Sequence, residues 1–483
     1  MEEEGSNSNN NNNNTTSCPP LKIYFLPFPT PGHMIPMVHL ARVFATRSSN
    51  NNNIHVTLLT TPSNAQPLLQ NKQQQFHIHT FDFPSNQVGL PPGLENLSSA
   101  KDGGTAHKVC TAVTNLLIPQ IESFVKQNPP HALIPDFMFT GSFSFSHLGI
   151  PIIPFIPSSI FSACIFEAIN DNSHVSLASS DSVKPSITVP GDLPHPVTLH
   201  VNPSRGFHTL ARPFLQAKHN GRKHGIIVNS FAELEAGYTE YYQKLTGVTV
   251  WHLCISSLMV KNEYPSPSRE IDDEYLASWL GSKEPNSVVY ICFGSLCRLW
   301  REQYLEIARG IEASRQGYLW VVPKDDEEFQ VPGGFGDDEG KRGMVVRGWV
   351  PQVLILNHPA IGAFFTHCGW NSVVEGTSAG LPMITMPRFA EQFFNERLVT
   401  EVHKLGVEVG AWEWSISPYG SKNKVVSWER IEKAVRMVMA DDTFRKRAKE
   451  MKEKACKAVQ QGGSSYHNLT SLIQSLRQTS LGG

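Results

Sequence analysis

Residues 366 to 375 have the types and spacing of an anion-binding site. The segment from 366 to 369 joins an apolar, β-prone run to a run with helical spacing. The first amides of a helix have no carbonyl partner one turn earlier, and the helix dipole favours negative charge there. Gly369 allows the backbone to approach a ligand closely. His367, Asn371 and Ser372 can donate hydrogen bonds without supplying a full charge, so a diphosphate fits this site.

Glu375 and residues outside this segment complete a site for a nucleoside diphosphate. Gly294 and Ser295 follow another predicted strand and can reach the same phosphates from the opposite side. Trp349 offers a flat face on which a uracil ring can stack. Glu375 lies about one helical turn beyond Asn371, and its carboxylate can accept hydrogen bonds from two ribose hydroxyls.

A candidate general base lies in the N-terminal half of the chain. His33 follows Gly32 in the predicted loop between the first strand and the first helix, where an α/β domain presents side chains to its ligand crevice. An imidazole titrates near neutral pH and can take a proton from an attacking hydroxyl. Asp136 ends another predicted strand and can hold one ring nitrogen. Taken alone, His33 is as well explained as a helix cap, and a structural role is favoured for Asp136.

The segment from 349 to 392 resembles the signature box of the plant family-1 UDP-sugar glycosyltransferases. The matching residues occur in order and in register: Trp349, Pro351, Gln352, the run from His367 to Ser372, Glu375 and Gln392. The likeness extends from Leu21 to the C-terminus. It is closest to the subgroup that acts on triterpenoids and flavonoids.

The resemblance implies a fold and a reaction. The expected fold is α/β of the GT-B type, with two Rossmann-like, doubly wound parallel-sheet domains that face a cleft. The expected reaction is an inverting, metal-independent transfer of a sugar from a UDP-sugar to a hydroxyl of a triterpenoid, a saponin or an (iso)flavonoid. By the same resemblance His33 is the base and Asp136 supports it. The UDP-sugar is a co-substrate, and we expect no cofactor.

The resemblance also assigns the donor site. It implies UDP-sugar binding by Gly294, Ser295, Trp349, Val350, Gln352, His367, Gly369, Trp370, Asn371, Ser372, Glu375, Glu391 and Gln392. Glu391 and Gln392 are expected to bind the sugar hydroxyls, and a glutamine at the last position is typical of glucose users. Val350 stands where the family commonly has alanine, and we expect it to contribute mainly its backbone.

The chain departs from the family after Asp136. Where aromatic residues and then a tryptophan are common, Phe139 and Thr140 are followed by Gly141. We expect Phe139 and Gly141 to lie at the acceptor pocket. No Asp-x-Asp motif occurs in the sequence, and His367 and Cys368 are adjacent, which is not the spacing of metal ligands. We therefore expect no metal site.

Alternating strands and helices predict two parallel sheets. Strands are predicted at Lys22–Phe28, Ile54–Thr60, Ala132–Pro135, Ile152–Ile156, Gly225–Asn229, Ser287–Phe293, Tyr318–Val322, Met344–Arg347, Ala360–Thr366 and Pro382–Met386, and helices at Met34–Thr46, Glu302–Ser314 and Gly369–Ala379. The predicted domains are a low-complexity tail at 1–20, an acceptor domain at 21–255, a linker at 256–275, a donor domain at 276–460 and a C-terminal helix at 461–483 that packs on the first domain.

Composition limits the partners. The chain has 483 residues, a net charge of -2 and 17% charged residues, so it lacks the basic field that nucleic-acid binding needs. No apolar run is long enough to span a bilayer, and the start of the chain lacks the pattern of a secretory signal. The eight cysteines form no Cys-x-x-Cys pair. We expect a soluble, cytoplasmic monomer whose partners are a UDP-sugar and a small apolar acceptor.

Two other functions remain open from the sequence. Doubly wound domains also suit nicotinamide-dependent oxidoreductases, but the loop from Pro27 to His33 is not Gly-x-Gly-x-x-Gly. A nucleotide-sugar sensor without turnover would keep the donor site and would have no use for the pairing of His33 with Asp136. Assays for nucleotide binding and for product formation separate the three.

Overall fold

The computed structural model describes residues 20–47, 53–70, 75–140, 145–171, 187–199, 207–254, 272–324, 326–332, 335, 342–414, 418 and 424–481. Apart from Pro20 and residues 272–275, the predicted tail and the predicted linker lie outside the described residues. Gly141 also lies outside them.

Most of the strands are short runs of buried apolar residues, but the strand His77–Thr80 is partly exposed. This strand and those at Ile187–Thr188, Thr198–Leu199, Val250–His252 and Gly406–Glu408 were not predicted from the sequence. The N-terminal half holds β1 (Leu21–Leu26), β2 (Ile54–Thr60), β3 (His77–Thr80), β4 (Ala132–Pro135), β5 (Phe155–Ile156), β6 (Ile187–Thr188), β7 (Thr198–Leu199), β8 (Ile226–Val228) and β9 (Val250–His252). The C-terminal half holds β10 (Val288–Cys292), β11 (Gly317–Val322), β12 (Gly343–Arg347), β13 (Ile361–Thr366), β14 (Met383–Thr385) and β15 (Gly406–Glu408).

Helices connect the strands and cover the sheets. They are α1 (Pro31–Arg47), α2 (Pro62–Leu69), α3 (Ser85–Val88), α4 (Gly103–Thr111), α5 (Ile118–Gln127), α6 (Phe137–Thr140), α7 (Ile160–Asp171), α8 (Phe207–Gly221), α9 (Tyr238–Thr246), α10 (Asp273–Gly281), α11 (Arg301–Ser314), α12 (Gln352–Leu356), α13 (Trp370–Ala379), α14 (Gln392–Arg397), α15 (Trp428–Ala440), α16 (Asp442–Val459) and α17 (Ser464–Leu481). Within the described ranges, no helix is both long and apolar enough to cross a bilayer.

The described residues form four sheets, of which three are parallel and the two-stranded sheet of β6 and β7 is antiparallel. In the N-terminal half the order is β3-β2-β1-β4, and isolated bridges at Leu133–Ile152 and Asp136–Phe155 join β4 to the sheet β5-β8-β9. In the C-terminal half the order is β12-β11-β10-β13-β14-β15. That is the strand order of a dinucleotide-binding fold, in which ligands bind at the carboxyl ends of the strands. The predicted α/β fold with two Rossmann-like sheets is confirmed.

Two local predictions were wrong. His33 was expected in a loop, but α1 begins at Pro31, and the amides of His33 and Met34 both donate to the carbonyl of Thr30, at 3.0 and 2.8 Å. Proline at the first helical position is preorganised for the helix, so the helix starts earlier than the apolar spacing indicated. The strand expected from Ile152 to Ile156 is reduced to a bridge and β5, since Pro154 interrupts it and cannot donate to a ladder.

The last helix crosses back over the molecule. Leu469, Leu472, Ile473 and Leu476 of α17 are buried in the same apolar cluster as residues of β1. The preceding α16 instead packs against the donor half, where its Ala448 and other small side chains are buried. The C-terminal segment therefore connects the two halves by packing.

Candidate active site

The predicted base and its carboxylate form a close pair. His33, in the first turn of α1, lies with Nδ1 2.9 Å from Oδ2 of Asp136, which follows β4. The carboxylate is fully buried, and its Oδ1 accepts a hydrogen bond of 3.0 Å from the amide of Met138. The imidazole is 24% exposed, and it lies beside the rings of Phe28 and Phe137. The carboxylate thus holds one ring nitrogen of the imidazole.

Opposing effects set the charge of His33. Burial lowers the pKa of the imidazole, because it disfavours the charged form. The charge of Asp136, its hydrogen bond and the charge of Glu391 raise it, and the net pKa lies above the ordinary value. Glu391 belongs to the C-terminal half of the molecule, so a carboxylate on the donor side contributes to the pKa of His33. Burial in turn raises the pKa of Glu391.

The predicted anion-binding site lies where β13 turns into α13. Gly369 caps α13 without a side-chain hydrogen bond, so the first amides of the helix are not capped by a side chain. Cys368 adopts a left-handed conformation, with φ of 62°, that is costly for a residue with a side chain. Its carbonyl accepts a hydrogen bond of 3.0 Å from Nδ2 of the buried Asn395. This contact helps to hold the turn against its strain.

His367 fills the gap between two glycine backbones. A Cβ at Gly294 would lie 2.6 Å from Nε2 of His367, and one at Gly369 would lie 2.5 Å from the same atom. Gly294 also has φ of +81°, so glycine is needed there on both counts. Burial lowers the pKa of His367 to about 4, and the ring is therefore neutral at neutral pH. It can serve as a dipole near an anion, but not as a cation.

Glu375 is oriented by a chain of hydrogen bonds. Nε2 of Gln352 donates to Oε2 of Glu375 at 2.7 Å, and Oε1 of Gln352 accepts from the hydroxyl of Tyr290 at 3.1 Å. Tyr290 is fully buried in β10. Trp349 follows β12 and is half-buried, and Val350 beside it is buried. The carboxylate and the indole thus lie on elements that are fixed by the core.

Glu391 and Gln392 start α14 after a strained residue. Ala390 has φ of 54°, and its carbonyl accepts a 2.6 Å hydrogen bond from the indole of Trp414. Oε1 of the buried Gln392 accepts from the amides of Arg388 and Phe389, at 3.0 and 3.1 Å. The carbonyl end of Gln392 therefore stabilises its own loop. Only the amide nitrogen is left to donate to a ligand.

A set of hydrogen bonds joins the two halves beside the base. Nδ2 of Asn371 donates to the carbonyl of Gly32 at 2.7 Å, and Oδ1 of Asn371 accepts from Nδ2 of Asn229 at 3.0 Å. The indole of the buried Trp370 donates to the carbonyl of Asn229 at 2.8 Å. Trp370 is therefore used in packing between the halves, whereas the sequence placed it among the donor-binding residues.

Other predicted residues are less well placed for ligands. Phe139 is 1% exposed and packs edge-on against Phe28, which does not support the predicted acceptor contact. Ser372 is buried in α13, and Ser295 is half-buried, with its carbonyl accepting from Arg298. In the part of the chain that the structure describes, no three His, Cys, Asp or Glu side chains are grouped to hold a metal ion.

Sequence reasoning missed four residues that position the site. They are Asn229, Tyr290, Asn395 and Trp414, and each acts through a hydrogen bond to a predicted residue or to its neighbour. Asn229 lies at the carboxyl end of a strand, and Tyr290 lies within one. These positions are the only sequence signal that connects the two residues with the site.

The two Rossmann-like sheets define the GT-B fold, and the predicted anion-binding turn on the second sheet with the His–Asp pair on the first is the arrangement expected of a GT-B glycosyltransferase. Comparisons with known proteins agree. The family described as "UDP-glucoronosyl and UDP-glucosyl transferase" matches residues 269–453. The chain is 39% identical to UDP-glucosyl transferase 73CC6 of Saponaria officinalis, over 95% of this chain and 97% of that protein. It is 38% identical to UDP-glucose flavonoid 3-O-glucosyltransferase 7 of Fragaria ananassa, over 97% and 98%.

A solved structure is also similar. The crystal structure of Glycyrrhiza uralensis UGT73P12 with glycyrrhetinic acid 3-O-monoglucuronide has a TM-score of 0.82 at 34% identity, and the match covers 95% of this chain and 96% of that one. The chain belongs to the plant family-1 UDP-glycosyltransferases. It is an enzyme that transfers a sugar from a UDP-sugar to a small molecule.

Proposed function

We propose that the enzyme transfers glucose from UDP-glucose to a hydroxyl of a triterpenoid, a saponin or an (iso)flavonoid, with inversion and without a metal ion. The observation that carries the proposal is the hydrogen bond of 2.7 Å from Asn371 to the carbonyl of Gly32. This contact supports the proposal because it holds Gly32, the residue before His33, beside the first turn of α13. The acceptor hydroxyl, beside His33, and the UDP-sugar, at α13, can then bind in the same cleft.

His33 acts as the general base. Its Nδ1 hydrogen is held by Asp136, so Nε2 is free to take the proton of the acceptor hydroxyl as that oxygen attacks the anomeric carbon. The imidazolium that forms is stabilised by the buried carboxylate. The bond from the anomeric carbon to the diphosphate breaks on the opposite face, and the configuration inverts.

Fixed dipoles stabilise the leaving UDP. The first amides of α13, including that of Ser372, the side chain of Asn371, and the backbone at Gly294 and Ser295 bind the diphosphate. These donors are already in place, so little reorganisation is needed as charge develops. The same donors do the work that a metal ion performs in enzymes with an Asp-x-Asp motif.

The rest of the donor is bound along the same edge. Trp349 stacks on the uracil, the backbone at Val350 contacts the base, and Glu375 accepts from the ribose hydroxyls. Glu391 and the free amide nitrogen of Gln392 bind the sugar hydroxyls. Support comes from Gln352, whose 2.7 Å hydrogen bond fixes one oxygen of Glu375.

The acceptor class rests on the relatives. One is named for flavonoids, and one structure holds glycyrrhetinic acid 3-O-monoglucuronide. Rings around His33, among them Phe28 and Phe137, give the base an apolar setting that suits a ring system.

We further propose how the chain is organised and where it acts. Residues 21–255 form the acceptor domain, 276–460 the donor domain, and 461–483 a helix that returns to the acceptor domain. The packing of Leu472 in the cluster of β1 supports the last assignment. The free thiols, including the buried Cys164 and Cys254, suit the reducing cytoplasm, where we propose that the enzyme acts as a monomer.

Product formation tests the proposal. The protein is incubated with UDP-glucose, UDP-galactose and UDP-xylose against a panel of triterpenoids and flavonoids, and products are separated by chromatography and mass spectrometry. A glucoside from at least one acceptor is expected. UDP binding without any glycoside would indicate the sensor, and NAD binding without UDP binding would indicate the oxidoreductase.

A variant separates chemistry from binding. We expect His33→Ala to lower kcat by about 10²- to 10⁴-fold, which is the usual contribution of a general base, while the Kd for UDP stays within twofold of the wild type. His107→Ala is the control, since His107 is exposed on α4. Normal turnover in His33→Ala would remove the proposed base.

A further inference from the structure

The hydrogen bonds that join the halves form a directed chain of amides. Asn229 follows β8 and is 2% exposed, and it donates from Nδ2 to Oδ1 of Asn371 at 3.0 Å. Asn371 then donates from Nδ2 to the carbonyl of Gly32 at 2.7 Å. The chain starts in the acceptor half, passes through the first turn of α13 and returns to the acceptor half beside His33.

The contacts with Gly32 and Asn229 together decide which end of the Asn371 amide faces the segment that carries the base. A side-chain amide has an acceptor end and a donor end. If Asn371 were turned by half a rotation, its oxygen would face the carbonyl oxygen of Gly32, and two acceptors would repel each other. With Asn229 in place, Nδ2 faces Gly32, and its second hydrogen remains for an oxygen of the diphosphate.

We infer that Asn229 is a positioning residue for sugar transfer. Its hydrogen bond to Asn371 fixes the orientation of the Asn371 amide, and we call this contact the lock. In that orientation the side chain of Asn371 binds both the carbonyl of Gly32, beside His33, and the diphosphate. This inference rests on the proposed function, in which the first turn of α13 binds the diphosphate. Loss of the lock therefore weakens donor binding and also displaces His33.

The side chain of Asn229 can be changed without removing the backbone hydrogen bonds of this residue. Its amide donates to the carbonyl of Ile156 at 3.3 Å. Trp370 donates to the backbone carbonyl of Asn229, which every substitution retains. The packing between the halves therefore persists in a variant at this position, and the function of the side chain can be measured separately.

Asn229→Asp tests the lock. The carboxylate has the shape of the amide but no hydrogen to give to Asn371, so Asn371 turns its nitrogen towards Asp and its oxygen towards Gly32. A lost hydrogen bond to a charged or strongly polar partner corresponds to about tenfold or more in an equilibrium or a rate. We expect kcat to fall by about tenfold and the KM for the UDP-sugar to rise several-fold, with the KM for the acceptor unchanged.

The pH dependence distinguishes the lock from general damage to the fold. When the new carboxyl is protonated, it can again donate to Asn371, and burial raises the pKa of such a group towards the assay range. The ratio of variant to wild-type activity should therefore rise as the pH falls from about 8 to about 6. His33 titrates in both proteins, and Glu391 lies near it in both, so their effects largely cancel in the ratio.

Asn128→Asp is the matched control. Asn128 is exposed, and its Nδ2 donates to a helix carbonyl, that of Phe124, at 3.2 Å. This variant should keep wild-type kinetics. If Asn229→Asp fails to fold, Asn229→Ala replaces it, and the double variant with Asn371→Ala should then be no slower than Asn371→Ala alone.

Three outcomes would overturn the inference: kcat and donor KM within twofold of the wild type in Asn229→Asp, a pH-independent activity ratio, or additive losses in the double variant. If wild-type protein forms no glycoside at all, the proposed function fails by itself. Calorimetric titration with UDP then still tests the lock, because Asn229→Asp must bind UDP more weakly, and an unchanged Kd would refute it.

Discussion

Replacing Asp136 with asparagine removes the charge that holds the base and keeps the shape of the side chain. Asp136 is fully buried, and its Oδ2 lies 2.9 Å from Nδ1 of His33. Asparagine can still accept from the amide of Met138, so the local fold should survive. The perturbation therefore acts on the charge state and the orientation of the imidazole.

The size of the effect follows from the lost interaction. A hydrogen bond to a charged group is worth about 1.5–3 kcal/mol, and each ~1.4 kcal/mol corresponds to tenfold in rate. Because the carboxylate stabilises the imidazolium that forms during transfer, this energy is lost mainly in the transition state. We expect kcat to fall by about 10- to 150-fold, with the Kd for UDP unchanged.

The pH profile gives a second, independent readout. In the wild type, the pKa of His33 is raised above its ordinary value, and the base must be neutral, so kcat/KM falls as the pH drops through that raised pKa. Without Asp136, the lowering of the pKa by burial is opposed only by Glu391. The acid limb of the Asp136→Asn profile should therefore lie at lower pH than that of the wild type.

Initial rates of glycoside formation, measured across the pH range with saturating UDP-sugar, provide both numbers. Circular dichroism and UDP titration establish that the variant is folded and binds the donor. A folded variant with wild-type kcat, or with an unshifted acid limb, would refute the assignment of Asp136 as the partner of the base.

Three further substitutions test the donor side. Tyr290→Phe should raise the KM for the UDP-sugar about two- to fivefold with kcat unchanged, since Gln352 loses one neutral hydrogen bond. Glu375→Ala should raise this KM further. Both values are measured by steady-state kinetics, and an unaltered donor KM in Glu375→Ala would exclude the contact of Glu375 with the ribose. Gly294→Ala should unfold at a lower temperature than Gly247→Ala, because both glycines have positive φ but only a Cβ at 294 meets His367. The left-handed backbone costs about 1–2 kcal/mol in each, and equal melting temperatures would show that the ring moves aside freely.

The sequence predicts the fold well where burial and periodicity agree. β2 and β4 have the predicted bounds, because each is an apolar, β-prone run ended by a turn or a polar residue. The start of α1 was missed, since Pro31 and Gly32 were interpreted as a turn, whereas proline also begins helices. The sequence pattern leaves this choice open, and the hydrogen bonds to Thr30 decide it.

The sequence predicts which residues form the site better than it predicts the contacts between them. His33 and Asp136 are placed together because strand ends in a parallel sheet converge. The contact of Asn371 with Gly32 joins residues 339 positions apart across the cleft, and no periodicity encodes it. The orientation of Glu375 depends on Tyr290, which has the sequence environment of any buried strand residue. Phe139 was expected near the acceptor on position alone, and burial places it in the core.

The return of α17 to the first sheet affects how the enzyme can be recombined. Four of its apolar side chains are buried with β1, although the helix comes last in the chain. A chimera that exchanges the acceptor half with that of a relative should take residues 464–481 from the same parent as residues 20–254. Otherwise Leu469 and Leu472 would meet a surface shaped for different side chains, and the loss in stability would be mistaken for a change in acceptor preference.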